Sequence, residues 1–427
     1  MKRSKFLIAV LAVALVAAVG YIYVPGYLQA RANTESDKLA AGVDPSLVSA
    51  NTGFALELLR ELRSEDTGKN VFYSPLSVST ALSMTLDGAR GSTQESMMKT
   101  LGLSGMNQVE VNAAYQDLLA SLTGADAGVS LSMANSVWVD SSFQPSVNKA
   151  FSDDLSNSYA AQFYTRSFSD PATITDINSW VSGKTAGKID KLVDSLNPED
   201  VMVLLNAIYF KGNWSTQFDP ARTAKEAFHL DGGKTSSVDM MHLGVQDYDT
   251  KYGYYAGNGY GVARLPYGRD KIAMYVFLPD TNSSLTVMLV QLNAAAMENA
   301  LASASSSKRE LALAMPKFKV EYGVKELNAA LTKLGMDVAF DPSKADFTGI
   351  SSRGGLYIDF VDHKAIIEVN EKGTEAAAAT SVAIATSAHS QTPFKVDHPF
   401  LFVIRDDRSG SILFMGAITD PTQASSP

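Results

Sequence analysis

The chain has 427 residues, 46% of them hydrophobic and 19% charged, with a formal net charge of -9 and no cysteine. That apolar content suffices for one large core or two to three domains, and it excludes a disordered acidic polymer; the negative charge argues against binding nucleic acid or an anionic membrane surface. The missing thiols exclude disulfides, thiol catalysis, iron–sulfur clusters, thiolate zinc sites and a cysteine-linked lipid anchor, so packing alone must hold the fold.

The N-terminus carries an export address. Lys2, Arg3 and Lys5 precede the uncharged run 6–24, nineteen residues long. A basic flank before an apolar run directs a chain out of the cytoplasm. Two fates fit. One is a cleaved signal, for which Ala30-Arg31-Ala32 suits a signal peptidase. The other is an uncleaved membrane anchor, since the run approaches the roughly 20 residues a spanning helix needs. Both place the folded part outside the cytoplasm, secreted or tethered to the outer face. Residues 1–32 are thus leader or anchor, 33–48 a tether without sustained helical period, and 49–423 the folded domain.

Phe54, Leu58 and Leu62, with Ala55 and Leu59 beside them, give a first helix one apolar face. Ser74-Pro75 is a helix start: serine caps free backbone donors, and proline at the first position loses no bond. The helix that follows is rich in small residues, Ser77, Ser79, Ala81 and Ser83, which suits burial beneath a sheet; Gly88 and Gly91 are expected to end it. Residues 173–183 read as helix. VMVLLNAIYFKGNW, 201–214, is nearly continuously apolar with β-branched and aromatic residues, and predicts a strand buried on both sides. KIAMYVFLPD, 271–280, predicts a strand closed by a Pro-Asp turn. Residues 310–320 alternate, and 324–334 predict an amphipathic helix. GLYIDFVDHKAIIEVN, 355–370, predicts a long strand, about 50 Å if extended throughout. PFLFVIRD and SILFMGAITDP, joined through Ser409-Gly410, form an apolar hairpin. With no fixed repeat and no internal linker, the chain reads as one large α+β domain.

No catalytic constellation stands out. His229, His242, His363, His389 and His398 have no metal-ligand spacing, and no nucleophile elbow, P-loop or dinucleotide fingerprint occurs. Gly257-Asn258-Gly259 reads as a turn between strands. His363 lies in a predicted buried strand and reads as a hydrogen-bonded core histidine, not a base. Asn213-Trp-Ser and Asn282-Ser-Ser match the glycosylation pattern only. No metal, no cofactor and no enzymatic activity are expected.

One segment is left over: EKGTEAAAATSVAIATSAHS, 371–390, almost free of large side chains yet lying between a strand and the closing hairpin. It could be a surface helix, a linker or an exposed cleavable loop, and loops of this length inside a compact domain are usually functional.

Its neighbours resemble the serpins. NVFYSPLSV at 70–78, LLNAIYFKGNW at 204–214, HKAIIEVNEKGTEAAAAT at 363–380, HPFLFVIRD at 398–406 and ILFMGAITDP at 412–421 match family motifs in the family's order and approximate spacing. The resemblance is to a prokaryotic-type, inhibitory member. It implies the serpin fold: a large, mostly antiparallel central sheet, smaller sheets, about eight or nine helices and an exposed reactive-centre loop near 371–393. In that family a target serine protease cleaves the loop and is held as an acyl-enzyme, and the cleaved loop inserts into the central sheet before hydrolysis. The inhibitor is consumed and the covalent complex persists.

By the same resemblance, the hinge comprises Glu371, Gly373, Thr374, Glu375, Ala376, Ala377, Ala378, Ala379 and Thr380. An inserting strand buries every second side chain, and Thr374, Ala376 and Ala378 are all small and uncharged. The family's bond usually follows the seventeenth residue from the hinge glutamate, which from Glu371 gives Ser387–Ala388, with Ala388–His389 the rival. Ile384, Ala385 and Thr386 precede it. Small uncharged residues suit elastase-like or subtilisin-like proteases. Ser74, Ser77, Asn206 and His363 match a buried polar latch beneath the sheet, and Trp214 matches the tryptophan at the sheet's top. Residues 105–122 lack a basic face, so no activation by sulfated polysaccharide is expected. The implied partner is a target serine protease, not nucleic acid; a membrane is involved only through residues 6–24 if uncleaved, and the protein is expected to be monomeric. The alternatives are a non-inhibitory serpin, acting as carrier or chaperone, and an exported structural surface protein with a cleavable loop.

Overall fold

The computed structural model describes residues 35–197, 199–243, 251–374, 391–423 and 425–426. Helix α1 (Pro45–Glu65), strand β1 (Val71–Tyr73) and helix α2 (Pro75–Asp87) open the domain. Helices α3 (Gly91–Thr100) and α4 (Gln108–Leu122) precede β2 (Val129–Asp140). Then come α5 (Lys149–Tyr159), β3 (Gln162–Arg166), α6 (Ala172–Lys184) and β4 (Met202–Asn213). Strands β5 (Ala224–His229), β6 (Thr235–His242), β7 (Tyr252–Ala256), β8 (Tyr260–Tyr267) and β9 (Ile272–Pro279) form the middle. Helices α7 (Leu285–Gln291) and α8 (Ala294–Ser306) lead to β10 (Lys308–Arg309), β11 (Leu311–Pro316) and β12 (Phe318–Glu326). The one-turn helices α9 (Asn328–Leu331) and α10 (Asp337–Phe340) precede β13 (Asp362–Asn370) and β14 (Gly373–Thr374). Strands β15 (Thr392–Lys395), β16 (Phe400–Asp406), β17 (Ile412–Ile418) and β18 (Ser425–Ser426) close the chain.

Three sheets result. The central one runs β18-β12-β13-β14-β4-β2-β3, the second β1-β17-β16-β9-β8-β7-β10, and the third β15-β11-β6-β5. In the central sheet only the edge pairs β2/β3 and β12/β18 are parallel. The main core lies between the central and second sheets, around Phe72, Phe210, Phe402 and Phe414, whose rings stack or tilt on one another. A smaller core of Trp138, Ile177, Val181, Val203 and Leu205 lies under α6 on the other face.

The buried start of α2 follows from its sequence. Ser74 accepts from the Ser77 backbone N–H and Pro75 fills the first position. Its small residues divide between two faces: Ser77 and Ala81 line a cleft under the central sheet, whereas Ser79 and Ser83 lie towards Tyr115 of α4.

Several expectations need correction. Residues 36–48 are not a tether: a helical segment covers 35–41, α1 begins at Pro45, and Ser36, Ala40, Val43 and Leu47 are buried. Gly88 caps α2, but Gly91 opens α3, its φ of +53° making the bend between the two helices. Strand β4 is not buried evenly. Val203, Leu205, Ala207 and Phe210 are buried while Met202, Leu204, Asn206 and Tyr209 are half-buried; Val203 and Leu205 pack into the smaller core, and Leu204 and Asn206 line the cleft. The alternation at 310–320 spans two strands of different sheets, which part at Lys317. β12 runs to Glu326, so helix begins only at Asn328 and is widened at Gly335. The strand expected at 355–370 begins at Asp362; the segment before it closes the foot of the central sheet instead. Besides the segment at 35–41, ten α-helical segments occur among the described residues, two of them single turns. Residues 6–24 and Ala30-Arg31-Ala32 lie outside the described residues.

Candidate functional site

Strands β4 and β13 should be neighbours by their central place in the sheet, yet among the described residues no ladder joins them directly. β14 lies between their upper ends, antiparallel to both: Gly373 pairs with Asn370 and Asn213, and Thr374 with Val369 and Gly212. Below Thr374 the gap continues. Its upper part, about 270 Å³, is lined by Ile208, Tyr209, Phe210, Ile366 and Glu368. Its lower part, about 580 Å³, is lined by Leu204, Asn206, Val361, His363 and the floor residues Ser77 and Ala81. β13 is paired on its other edge by β12, and β4 by β2. Among the described residues each therefore leaves one edge unpaired towards the slot below β14, a template for an added strand.

The top of the slot is built around two short turns. Gly373 has φ of +149°, and a Cβ there would lie 2.1 Å from the Gly212 carbonyl oxygen, so only glycine fits. Thr374 is 3% exposed, and its Oγ1 lies 2.7 Å from the hydroxyl of Tyr267 on β8, beneath the sheet. Trp214 stacks on Tyr267 with ring centroids 4.4 Å apart and donates from Nε1 to the Asn370 carbonyl at 2.9 Å. Its backbone N–H donates to the Lys372 carbonyl, so Trp214 holds both ends of the turn that launches β14.

Glu371, 9% exposed, accepts from Thr223 Oγ1 at 2.8 Å and from Lys317 Nζ at 3.1 Å. Burial would raise its pKa, but its own backbone N–H, Thr223 and Lys317 together hold it below the usual glutamate value.

Under the middle of the slot, Ser74, Ser77, Asn206 and His363 come together in two linked halves. His363 Nε2 accepts from the Ser74 backbone N–H at 3.1 Å, and Ser74 Oγ donates to the Leu413 carbonyl at 2.7 Å. Ser77 Oγ donates to the Asn206 carbonyl at 3.5 Å. The Asn206 side chain turns to Asn135 Oδ1 at 2.7 Å instead of to His363, and its own Oδ1 is a buried acceptor without a partner. Burial pushes the His363 pKa down to about 4, so the ring is neutral at pH 7, as its accepting Nε2 requires. At the foot, burial with Glu326 and Asp194 nearby pushes Asp362 up to about 6.

The described part of the site thus holds Glu371, Gly373, Thr374, Trp214, Ser74, Ser77, Asn206 and His363. Glu375, Ala376, Ala377, Ala378, Ala379, Thr380, Ile384, Ala385, Thr386, Ser387, Ala388 and His389 lie outside the described residues. Sequence reasoning missed Tyr267, Thr223, Lys317 and Asn135. Each sits in an ordinary-looking strand or loop, and only the tertiary fold carries it to the slot. Helix α4, into which residues 108–122 fold, carries no Lys or Arg.

A gap between two bare strand edges, with the start of a further strand already seated, can accept an extended segment. Comparison with known proteins bears on which. The family model described as Serpin (serine protease inhibitor) matches residues 49–421. Human Serpin B11 is 35% identical over 396 residues, covering 88% of this chain and 100% of that protein. The human leukocyte elastase inhibitor is 35% identical over 388 residues, covering 88% and 99%. The native-state crystal structure of the thermophilic serpin tengpin superposes with a TM-score of 0.78 at 31% identity, over 88% of this chain and 95% of that one.

Proposed function

The chain belongs to the serpin family, and we propose that it is an irreversible, suicide-substrate inhibitor of serine proteases. Family membership supports protease inhibition in general and a non-enzymatic role. The finer reading rests on one observation above all: β14, with its buried Thr374, occupies the head of an open slot between β4 and β13.

The chemistry belongs to the target. Its serine attacks the loop's scissile carbonyl and forms an ester with the residue before the cut, while the new amino terminus departs. The loop upstream of the cut, continuous with β14, is then free to follow it down the slot. What this chain supplies is a strand that enters quickly. The gap is preformed, Gly373 permits the turn, and small side chains after Thr374 keep the desolvation cost low. The orphaned Asn206 Oδ1 and the bare edges of β4 and β13 gain partners as the strand arrives, which drives insertion forward. Because the acyl-enzyme is a transient species, the speed of this entry decides between trapping and release.

We place the scissile bond at Ser387–Ala388, with Ala388–His389 as rival, and the target among elastase-like or subtilisin-like enzymes. One relative bears the printed name of elastase inhibitor. The protein acts outside the cytoplasm as a monomer. Incubation with pancreatic elastase or subtilisin, followed by boiling in SDS, tests this. A band at the summed mass less the released piece 388–427 supports the reading; rapid cleavage with no such band overturns it and leaves a carrier, chaperone or surface protein with a cleavable loop.

A further inference from the structure

The loop's distal end returns to the body at Thr392, whose N–H donates to the Glu310 carbonyl at 3.0 Å, and β15 then runs parallel to β11 from the pair Leu311↔Thr392. Immediately before Glu310 lies β10, the edge strand of the second sheet, whose Lys308 and Arg309 are both exposed. They pair with Gly253 and Tyr252 of β7, next to exposed Lys251. None of these three cations has an ion-pair partner among the described residues. Lys395 nearby differs, being held by Glu226 at 2.8 Å.

One of the three is held against a ring. Arg309 sits 5.7 Å over the Tyr254 ring, and Tyr254 meets Phe394 of β15 edge to face at 6.3 Å. The aromatic pair thus fixes a guanidinium to the strand that anchors the loop. Among the described residues Glu310 is the one acidic residue adjoining the three in sequence, while Asp247 and Asp249, which precede Lys251, lie outside the described residues.

We propose that Lys251, Lys308 and Arg309 form an accessory docking surface for the target protease, fitted to an acidic rim around that enzyme's cleft. The inference rests on the inhibitory reading above. A bond four or five residues before Thr392 lies at most about 17 Å of extended chain from it. A protease domain of about 230 residues has a radius of gyration near 17 Å. An enzyme gripping that bond therefore has the β10 edge within its reach. Cations there without an ion-pair partner among the described residues steer an acidic partner towards the loop and reject a basic one.

The test uses the full chain, the double variant Lys308→Glu/Arg309→Glu, and two forms of one acidic-rimmed subtilisin-like protease: active, and with its nucleophile changed to alanine. Association with the inert form is timed at about 0.05 M and 0.3 M salt. The expected result is an association rate lowered about tenfold or more at low salt in the variant, with most of the salt dependence gone. Thermal unfolding is unchanged. Equal rates and equal salt dependence for parent and variant overturn the proposal. So does a sulfated polysaccharide that binds the parent and not the variant while protease association stays equal, which makes the patch a polyanion site. Failure of the active protease to form an SDS-stable adduct with the parent overturns the inhibitory reading instead, and the inert form still reports on docking.

Discussion

Replacing Thr374 with arginine should convert the inhibitor into a substrate. Thr374 is 3% exposed, and the hydrogen-bond partner of its side chain among the described residues is the Tyr267 hydroxyl at 2.7 Å. A guanidinium in that place brings five donors to one acceptor. Leaving a charge buried and uncompensated costs about 3–5 kcal/mol. If 3 kcal/mol of that falls on the entry step, insertion slows on the order of a hundredfold. Cleavage itself is untouched, because the scissile bond lies beyond the hinge. The assay titrates a fixed amount of protease and counts inhibitor molecules consumed per enzyme silenced. With deacylation claiming about one parent molecule in ten, the parent should need about one inhibitor molecule and the variant on the order of ten, with the same initial cleavage rate and little SDS-stable adduct. Thr374→Val, which keeps the shape and orphans only the Tyr267 hydroxyl, should cost about 1–2 kcal/mol of hinge seating and remain inhibitory. An arginine variant that traps protease as efficiently as the parent would refute the reasoning.

Three further outcomes follow from the same geometry. Glu371→Gln weakens the contacts to Lys317 and Thr223 and should lower stability by about 1–2 kcal/mol, read by urea unfolding. Gly373→Ala drives a Cβ onto the Gly212 carbonyl and should unseat β14, raising the rate of limited proteolysis within residues 371–374 while the rest of the domain stays folded. His363 is a buried base with its pKa depressed to about 4 from 6.5, so its stability contribution is intact above pH 6.5 and is lost as pH falls towards 4. Between pH 7.5 and 5 the loss is about 2 kcal/mol. Asp362, raised to about 6, works in the opposite sense, gaining stability over the same fall. In Asp362→Asn the acid-side loss should therefore steepen, and in His363→Gln it should vanish, both measured by thermal unfolding across that pH range.

Local chemistry made much of the fold legible. Ser74-Pro75 specified a helix start, the run at 204–210 a central strand, and Ser409-Gly410 a hairpin, because caps, periodicity and turn residues act over a few positions. The failures came where tertiary context decides. Residues 36–48 lack an apolar period, yet Ser36 donates to the Ser121 carbonyl and Asp37 pairs with Lys271 at 2.7 Å, contacts 85 and 234 positions away. Residues 355–361 look extended and apolar but close the foot of a cleft, and nothing local separates that from a strand. In the site, Thr374 and Gly373 were legible as a hinge, since small size and backbone freedom are sequence properties. Tyr267 was not, because its importance comes from lying below a gap made by strands more than fifty residues away on one side and nearly a hundred on the other.

The covalent state of the trapped enzyme tests the inhibitory mechanism most directly. Mass spectrometry of the SDS-stable product with a small-pocket protease should find the protease serine esterified to a fragment ending at Ser387, or at the rival Ala388, and a released peptide beginning one residue later. Two fragments cut at that bond with the protease recovered free and active would contradict it.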